Sequence, residues 1–193
     1  MRALAVGVWL LTLAGCHGEA IEPGSQDAAA ADATSCSNAP DNLIANGSFE
    51  QWNEGTPVGW SGSGTISRLD AAAYECNSAL RLVAKPYESI QQDLTLSGAT
   101  PAGARLEMTV AVRWVSGGTV APNFHVSFWD DKGGSLGDVH SARMDGFAVN
   151  GAWHVARGTL PIPSGATRMR LTLAVFEGAQ TIDLDAVSVR VTP

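Results

Sequence analysis

The sequence predicts an all-β fold over residues 42–193, a sandwich of two packed antiparallel sheets. Three observations predict it. Apolar and polar residues alternate at period two in several short runs, and Gly, Pro, Asn and Asp separate those runs, with 21 glycines and 9 prolines in the chain. Past the N-terminus no long run keeps a helical period and no internal repeat is visible.

Residues 1–15 read as an export signal. Arg2 is followed by an apolar run from Ala3 to Leu13 and then by small residues. That run is shorter than the roughly 20 residues a membrane-spanning helix needs. Leu13-Ala14-Gly15-Cys16 resembles the lipobox of bacterial lipoproteins. The resemblance implies cleavage before Cys16, acylation there, and an exported protein held on the envelope membrane by its lipid. The alternative is an ordinary secretory peptide with an incidental cysteine. His17 is not an aspartate, which in such lipoproteins favours passage to the outer membrane.

Residues 16–41 are Ala, Asp, Glu, Ser and Gly with almost no bulky apolar side chain, a composition that builds no core and reads as an acidic flexible tether. The chain carries three cysteines. With Cys16 acylated, Cys36 and Cys76 remain as an even pair, and one disulfide is the expectation. A bridge closing a loop of that length is worth about 3 to 4 kcal/mol in the chain-entropy model. The alternative, two thiols awaiting a metal, lacks CxxC spacing. A net charge of −7 and a pI near 4.9 argue against a nucleic-acid partner, whose phosphates such a surface repels.

Within the sandwich, Leu106, Met108, Val110, Val112 and Trp114 share one face of a strand. The same alternation sets Phe124, Val126 and Phe128 against His125, Ser127 and Trp129. It also sets Met169, Leu171, Leu173 and Val175 against Arg170, Thr172 and Phe176. Leu80 with Leu82, Ile90 with Leu94 and Leu96, and Trp153 onward to Leu160 and Ile162 supply further strands. In the last run Ile182 and Leu184 have one parity and Val187, Val189 and Val191 the other, which predicts a bulge near Asp185-Ala186.

Two segments then carry a resemblance. Asn42-Leu43-Ile44-Ala45-Asn46-Gly47-Ser48-Phe49-Glu50 with Pro57-Val58-Gly59-Trp60, and the closing Ile182-Asp183-Leu184-Asp185-Ala186-Val187-Ser188-Val189, are similar to the CenC-type carbohydrate-binding modules. The resemblance covers about residues 42–191 and implies a galactose-binding-like jelly roll that binds a polysaccharide or oligosaccharide without catalysis. Gln92 and the Trp153, Gly158 and Leu160 group also fall at family-like positions. Family members commonly hold a structural calcium ion where first and last strands meet, and Glu50 and Asp185 match those positions. Two carboxylates with backbone carbonyls suit Ca²⁺, and capping of strand ends is the alternative. Ala186 stands where the family often has a second acid.

Sugars are gripped by flat aromatic faces with amides, guanidinium groups and carboxylates beside them. The sheet face opposite the core is therefore where a site is sought. Trp129, next to Asp130 and Asp131, is the leading candidate, with a loop contact or packing against Phe176 as its alternatives. Arg113, His125, Arg170 and Phe176 complete the outward set, Tyr87 is placed at its mouth and Gln92 is added from the resemblance. Arg113 and Arg170 have a second reading as partners of surface carboxylates. Trp60 is expected to pack a strand end, and Trp114 and Trp153 to lie in the core.

Enzyme motifs are missing from the sequence. The four histidines lack HxxxH or HExxH spacing, no GxSxG surrounds a serine, and no pair of acids stands out as the carboxylates of a glycosidase. Two rival classes remain beside sugar binding. One is a structural or adhesive surface sandwich with a protein partner, the other a polysaccharide-active hydrolase or lyase.

Overall fold

The computed structural model describes residues 41–96, 103–118, 123–143 and 149–193. Twelve strands run in chain order: β1 (Trp52–Asn53), β2 (Thr56–Pro57), β3 (Ser61–Gly62), β4 (Thr65–Leu69), β5 (Ala79–Ala84) and β6 (Ser89–Thr95), then β7 (Arg105–Gly117), β8 (Asn123–Trp129), β9 (Ser135–Arg143), β10 (Trp153–Pro161), β11 (Arg168–Ala174) and β12 (Gln180–Thr192). No helix occurs among the described residues. Sheet I has the order β10-β7-β12-β5-β4 and sheet II the order β3-β6-β11-β8-β9, while β1 and β2 form a separate hairpin. Every pairing is antiparallel.

The period-two pattern explains the layering, because alternate side chains of a strand point to opposite faces. Leu106, Met108, Val110 and Val112 of β7 and Leu80 and Leu82 of β5 are buried against Phe124, Val126 and Phe128 of β8 and Met169, Leu171 and Leu173 of β11. The predicted bulge is present. Asp185 opposes Ala111 and Ser188 opposes Thr109, so Ala186 and Val187 face Val110 alone, with Ala186 at φ 50°. The extra residue moves Val187 and Val189 onto the core side that Ile182 and Leu184 already occupy.

The opening segment is stitched to β12. Asn42 Oδ1 accepts from Ile44 N (3.1 Å) and Val189 N (2.9 Å), and its amide donates to the Val187 carbonyl (3.1 Å). Gly47 lies so close to this strand that a Cβ there would come within 2.1 Å of the Val187 oxygen. Phe49 is fully buried and packs on Trp60 with ring centroids 5.2 Å apart. Trp114 is buried as expected. Trp153 is not in the core: it is half-buried on the outer face of sheet I, beside Tyr74 and beneath the guanidinium of Arg113.

Candidate functional site

The outer face of sheet II is built by parity. Since Met169, Leu171 and Leu173 point into the core, Arg168, Arg170 and Thr172 point out. Residues directly opposite across antiparallel strands project to the same side. One row therefore holds Trp129, Arg168 and Thr95; the next holds Ser127, Arg170 and Asp93; a third holds His125, Thr172 and Gln91. Ser127 and Thr172 are short and buried between longer neighbours, so the middle of the face is low.

A hollow of about 280 Å³ opens at one end of this face, lined by Asp93, Leu94, Thr95, Trp129, Gly133, Arg168, Met169 and Arg170. Arg170 is locked by a two-pronged pair with Asp93, Nε to Oδ1 at 2.5 Å and Nη2 to Oδ2 at 2.9 Å. Its Cζ lies 5.6 Å from the centroid of the Trp129 ring. The hydrogen bonds from Arg170 hold the Asp93 carboxyl below its ordinary range, and those to Asp93 raise Arg170 further. A planar cation is thus fixed beside an aromatic ring before any ligand arrives.

The structure brings together only part of the expected set. Trp129, Arg170 and His125 share the outer face of sheet II, with His125 Nε2 3.6 Å from an Asp138 carboxylate oxygen. Arg113 does not join them. It lies on β7 in sheet I, where its Nε donates to Asp183 Oδ2 at 2.7 Å, because β7 pairs with β10 and β12 and not with β8. Gln92 does not face a ligand either: it is buried among Ile90 and Leu94, donating to the Ala45 carbonyl (2.9 Å) and accepting from Ala45 N (2.8 Å). It ties the opening segment to β6.

Phe176 does not pack on Trp129. It follows the far end of β11, about 20 Å along the strand from Arg168 at some 3.3 Å per residue. There it meets Tyr87 edge-on, with centroids 6.5 Å apart. Tyr87 is 81% exposed, stands at φ 68°, and donates its N–H to the Val175 carbonyl at 2.6 Å.

Three residues that sequence reasoning passed over have structural weight. Asp93 and Arg168 complete the hollow, and the parity of Ile90, Leu94, Met169 and Leu171 already faced both outward. Asp183, fully buried on the outer side of sheet I, accepts from Arg81 Nε (2.6 Å) and Nη2 (2.9 Å) as well as from Arg113.

Glu50 and Asp185 both reach the loop of residues 74–78. Asp185 Oδ2 accepts from Tyr74 N (2.9 Å) and Glu75 N (2.8 Å) and its Oδ1 from Ala186 N (2.7 Å), while Glu50 Oε1 accepts from Asn77 N (3.0 Å) and Ser78 N (2.7 Å). Burial pushes the Asp185 carboxyl up to about 7 against the lowering pull of its N–H partners. Calcium takes six to eight oxygens, and these carboxylates are turned to N–H donors instead. No group of three or more His, Cys, Asp or Glu placed to hold a metal occurs among the described residues. As they stand the two side chains clamp the loop of residues 74–78. Cys76 lies in that loop, at φ 60°, whereas Cys36 and Cys16 lie outside the described residues.

No protein-family model matches the chain, and no curated protein matches it in sequence. Solved structures share its architecture. The CBM22-1 xylan-binding domain of Paenibacillus barcinonensis Xyn10C is 20% identical, with a TM-score of 0.57 over 80% of this chain and 97% of that one. A family 16 carbohydrate-binding module is 13% identical, with a TM-score of 0.54 over 77% of this chain and 99% of that one. The enzymatically active domain of bacteriophage CBA120 tailspike protein 4 is 13% identical, with a TM-score of 0.59 over 79% of this chain, which spans only 22% of the tailspike chain. These likenesses show the fold: a two-sheet antiparallel β-sandwich, the fold class that the sequence predicts and that solved carbohydrate-binding modules also have.

Proposed function

We propose that this domain binds carbohydrate without catalysis, on the outer face of sheet II around Trp129. One observation carries the proposal: a half-buried tryptophan with Arg170 and Asp93 fixed beside it at a hollow in an otherwise low, polar sheet face. An aromatic face with pre-oriented guanidinium and carboxylate groups is what a sugar ring and its hydroxyls need. The likeness to a xylan-binding domain supports the reading at the level of fold. Among the residues lining the hollow, Asp93 is the one carboxylate and is tied to Arg170, whereas glycoside hydrolysis by the usual route needs two. Affinity electrophoresis of the purified protein through gels holding individual polysaccharides tests the proposal. Retardation by at least one is expected, and none by any would refute it.

Acylation at Cys16 holds the chain on the bacterial envelope, and residues 16–41 space residues 42–193 from the lipid. Mass spectrometry of the membrane fraction would find the acylated Cys16 peptide, and its absence would remove the anchor. A Cys36–Cys76 disulfide ties the tether to the loop that Glu50 and Asp185 clamp, and a non-reducing peptide map reads it directly. A calcium ion at Glu50 and Asp185 draws the two carboxylates away from the N–H groups of residues 74–78, and a melting point that falls under chelation would reveal it.

A second reading, an adhesive surface domain with a protein partner, is favoured by Tyr87, an exposed aromatic held at positive φ away from the hollow. Loss of a protein contact in Tyr87→Ala with glycan retention unchanged would separate the two.

A further inference from the structure

We propose that the hollow beside Trp129 selects glycans bearing a carboxylate, with Arg168 as the residue that reads the charge. The inference rests on the carbohydrate reading above and goes further by naming the chemical class of sugar, a uronic acid.

Arg168 and Arg170 stand two residues apart on the same outward face of β11, yet their charges are spent differently. Arg170 gives two of its N–H groups to Asp93, which neutralises it and fixes it against Trp129. Arg168 is exposed at the lip of the same hollow, directly between Trp129 and Thr95 across the strands. No hydrogen bond or ion pair joins its side chain to any described residue; its charge acts only through space, helping to hold the Asp93 carboxyl low. The other nearby acids do not answer it. Asp130 turns its Oδ1 onto Lys132 N (3.0 Å) and Gly134 N (2.6 Å) within its own turn, and Asp131 is exposed next to Lys132.

The turn also leaves room for the guanidinium. Gly133, at φ 84°, lines the hollow, and a Cβ there would lie 3.3 Å from Arg168 Nη2. A side chain at position 133 would thus press on the one guanidinium of the hollow that has no carboxylate partner among the described residues. In a chain of net charge −7, Arg168 thus sets a guanidinium with no hydrogen-bonded carboxylate, among the described residues, beside an aromatic platform. Guanidinium presents paired N–H donors that match a carboxylate in two-pronged geometry, so a uronic acid seated on Trp129 would meet in Arg168 the same fork that Asp93 meets in Arg170.

The test compares polymers differing in charge. Retardation of the purified protein is measured at about 0.15 M salt, where charges more than ~8 Å apart are screened. The gels hold polygalacturonate, alginate or glucuronoxylan, and, as neutral counterparts, methyl-esterified polygalacturonate and unsubstituted xylan. The inference expects at least one acidic polymer to bind tenfold or more tightly than its neutral counterpart. It also expects Arg168→Gln to erase that preference with an unchanged melting point, and Arg168→Lys to keep part of it. Equal binding to neutral and acidic polymers, or a preference that survives Arg168→Gln, overturns the inference and leaves carbohydrate binding standing. Binding to none of them, nor to any other polysaccharide, overturns both.

Discussion

The guanidinium of Arg170 lies 5.6 Å from the centre of the Trp129 ring while Asp93 grips it from the other strand. Arg170 is therefore a positioned group, and its position depends on a carboxylate exposed enough that the pair adds little to stability. Asp93→Ala is expected to leave the melting point within about 4 °C, since exposed pairs are worth only about 0–1 kcal/mol. The same change is expected to weaken glycan binding about tenfold by releasing Arg170. Titration calorimetry beside a thermal melt reads both effects, and unchanged affinity would show that Arg170 needs no anchor.

Asp183 predicts the reverse pattern. It is fully buried, and removing it strands Arg81 and Arg113, which share its oxygens. Breaking a buried ion pair from one side costs about 3–5 kcal/mol, so Asp183→Ala is expected to destabilise the domain by that order in urea unfolding. Glycan binding under folding conditions is expected to persist, because this cluster lies in sheet I and the hollow in sheet II.

Asp185 gives a pH signature. Its carboxyl is raised from 3.8 to about 7 by burial, so between these values the folded chain holds the proton that the unfolded chain has released. Stability from this group then increases as pH falls through 7 toward 4, and is lost as pH rises through 7. Thermal melts at pH 5 and pH 8 should differ by several degrees more in the wild type than in Asp185→Asn. Equal differences in the two proteins would remove the buried carboxylate as the cause.

Gly47 supplies a packing prediction. With the Val187 oxygen 2.1 Å from the place of a Cβ, Gly47→Ala must push the opening segment from β12 and weaken the Val187 N to Gly47 O bond of 2.9 Å. A loss of about 1–3 kcal/mol in chemical unfolding is expected, the range of overpacking. A neutral substitution would mean that this junction yields easily.

Much of the fold was legible because its signals are local. Alternation along Leu106–Val112 and Met169–Leu173 fixed which side of each strand is buried, and the change of parity between Leu184 and Val187 located the bulge. Arg113 and Trp129 were not separable this way: both face outward, and only the pairing of β7 with β12 puts them on opposite sides of the sandwich. Phe176 was misplaced for a related reason, because parity says which face a residue takes and nothing of how far along the sheet it lies. Gln92 is a different case. It shares its parity with Ile90 and Leu94, so the sequence already turned it inward, and its amide is spent on the backbone of Ala45.

Trp129 is the residue on which the account turns, and retention of Trp129→Ala on polysaccharide gels tests it most directly, with Trp153→Ala as a comparison from the outer face of sheet I. The account predicts that the wild type and Trp153→Ala are retarded by at least one polysaccharide while Trp129→Ala, still folded by thermal melt, runs free. Retardation of Trp129→Ala equal to the wild type would contradict it.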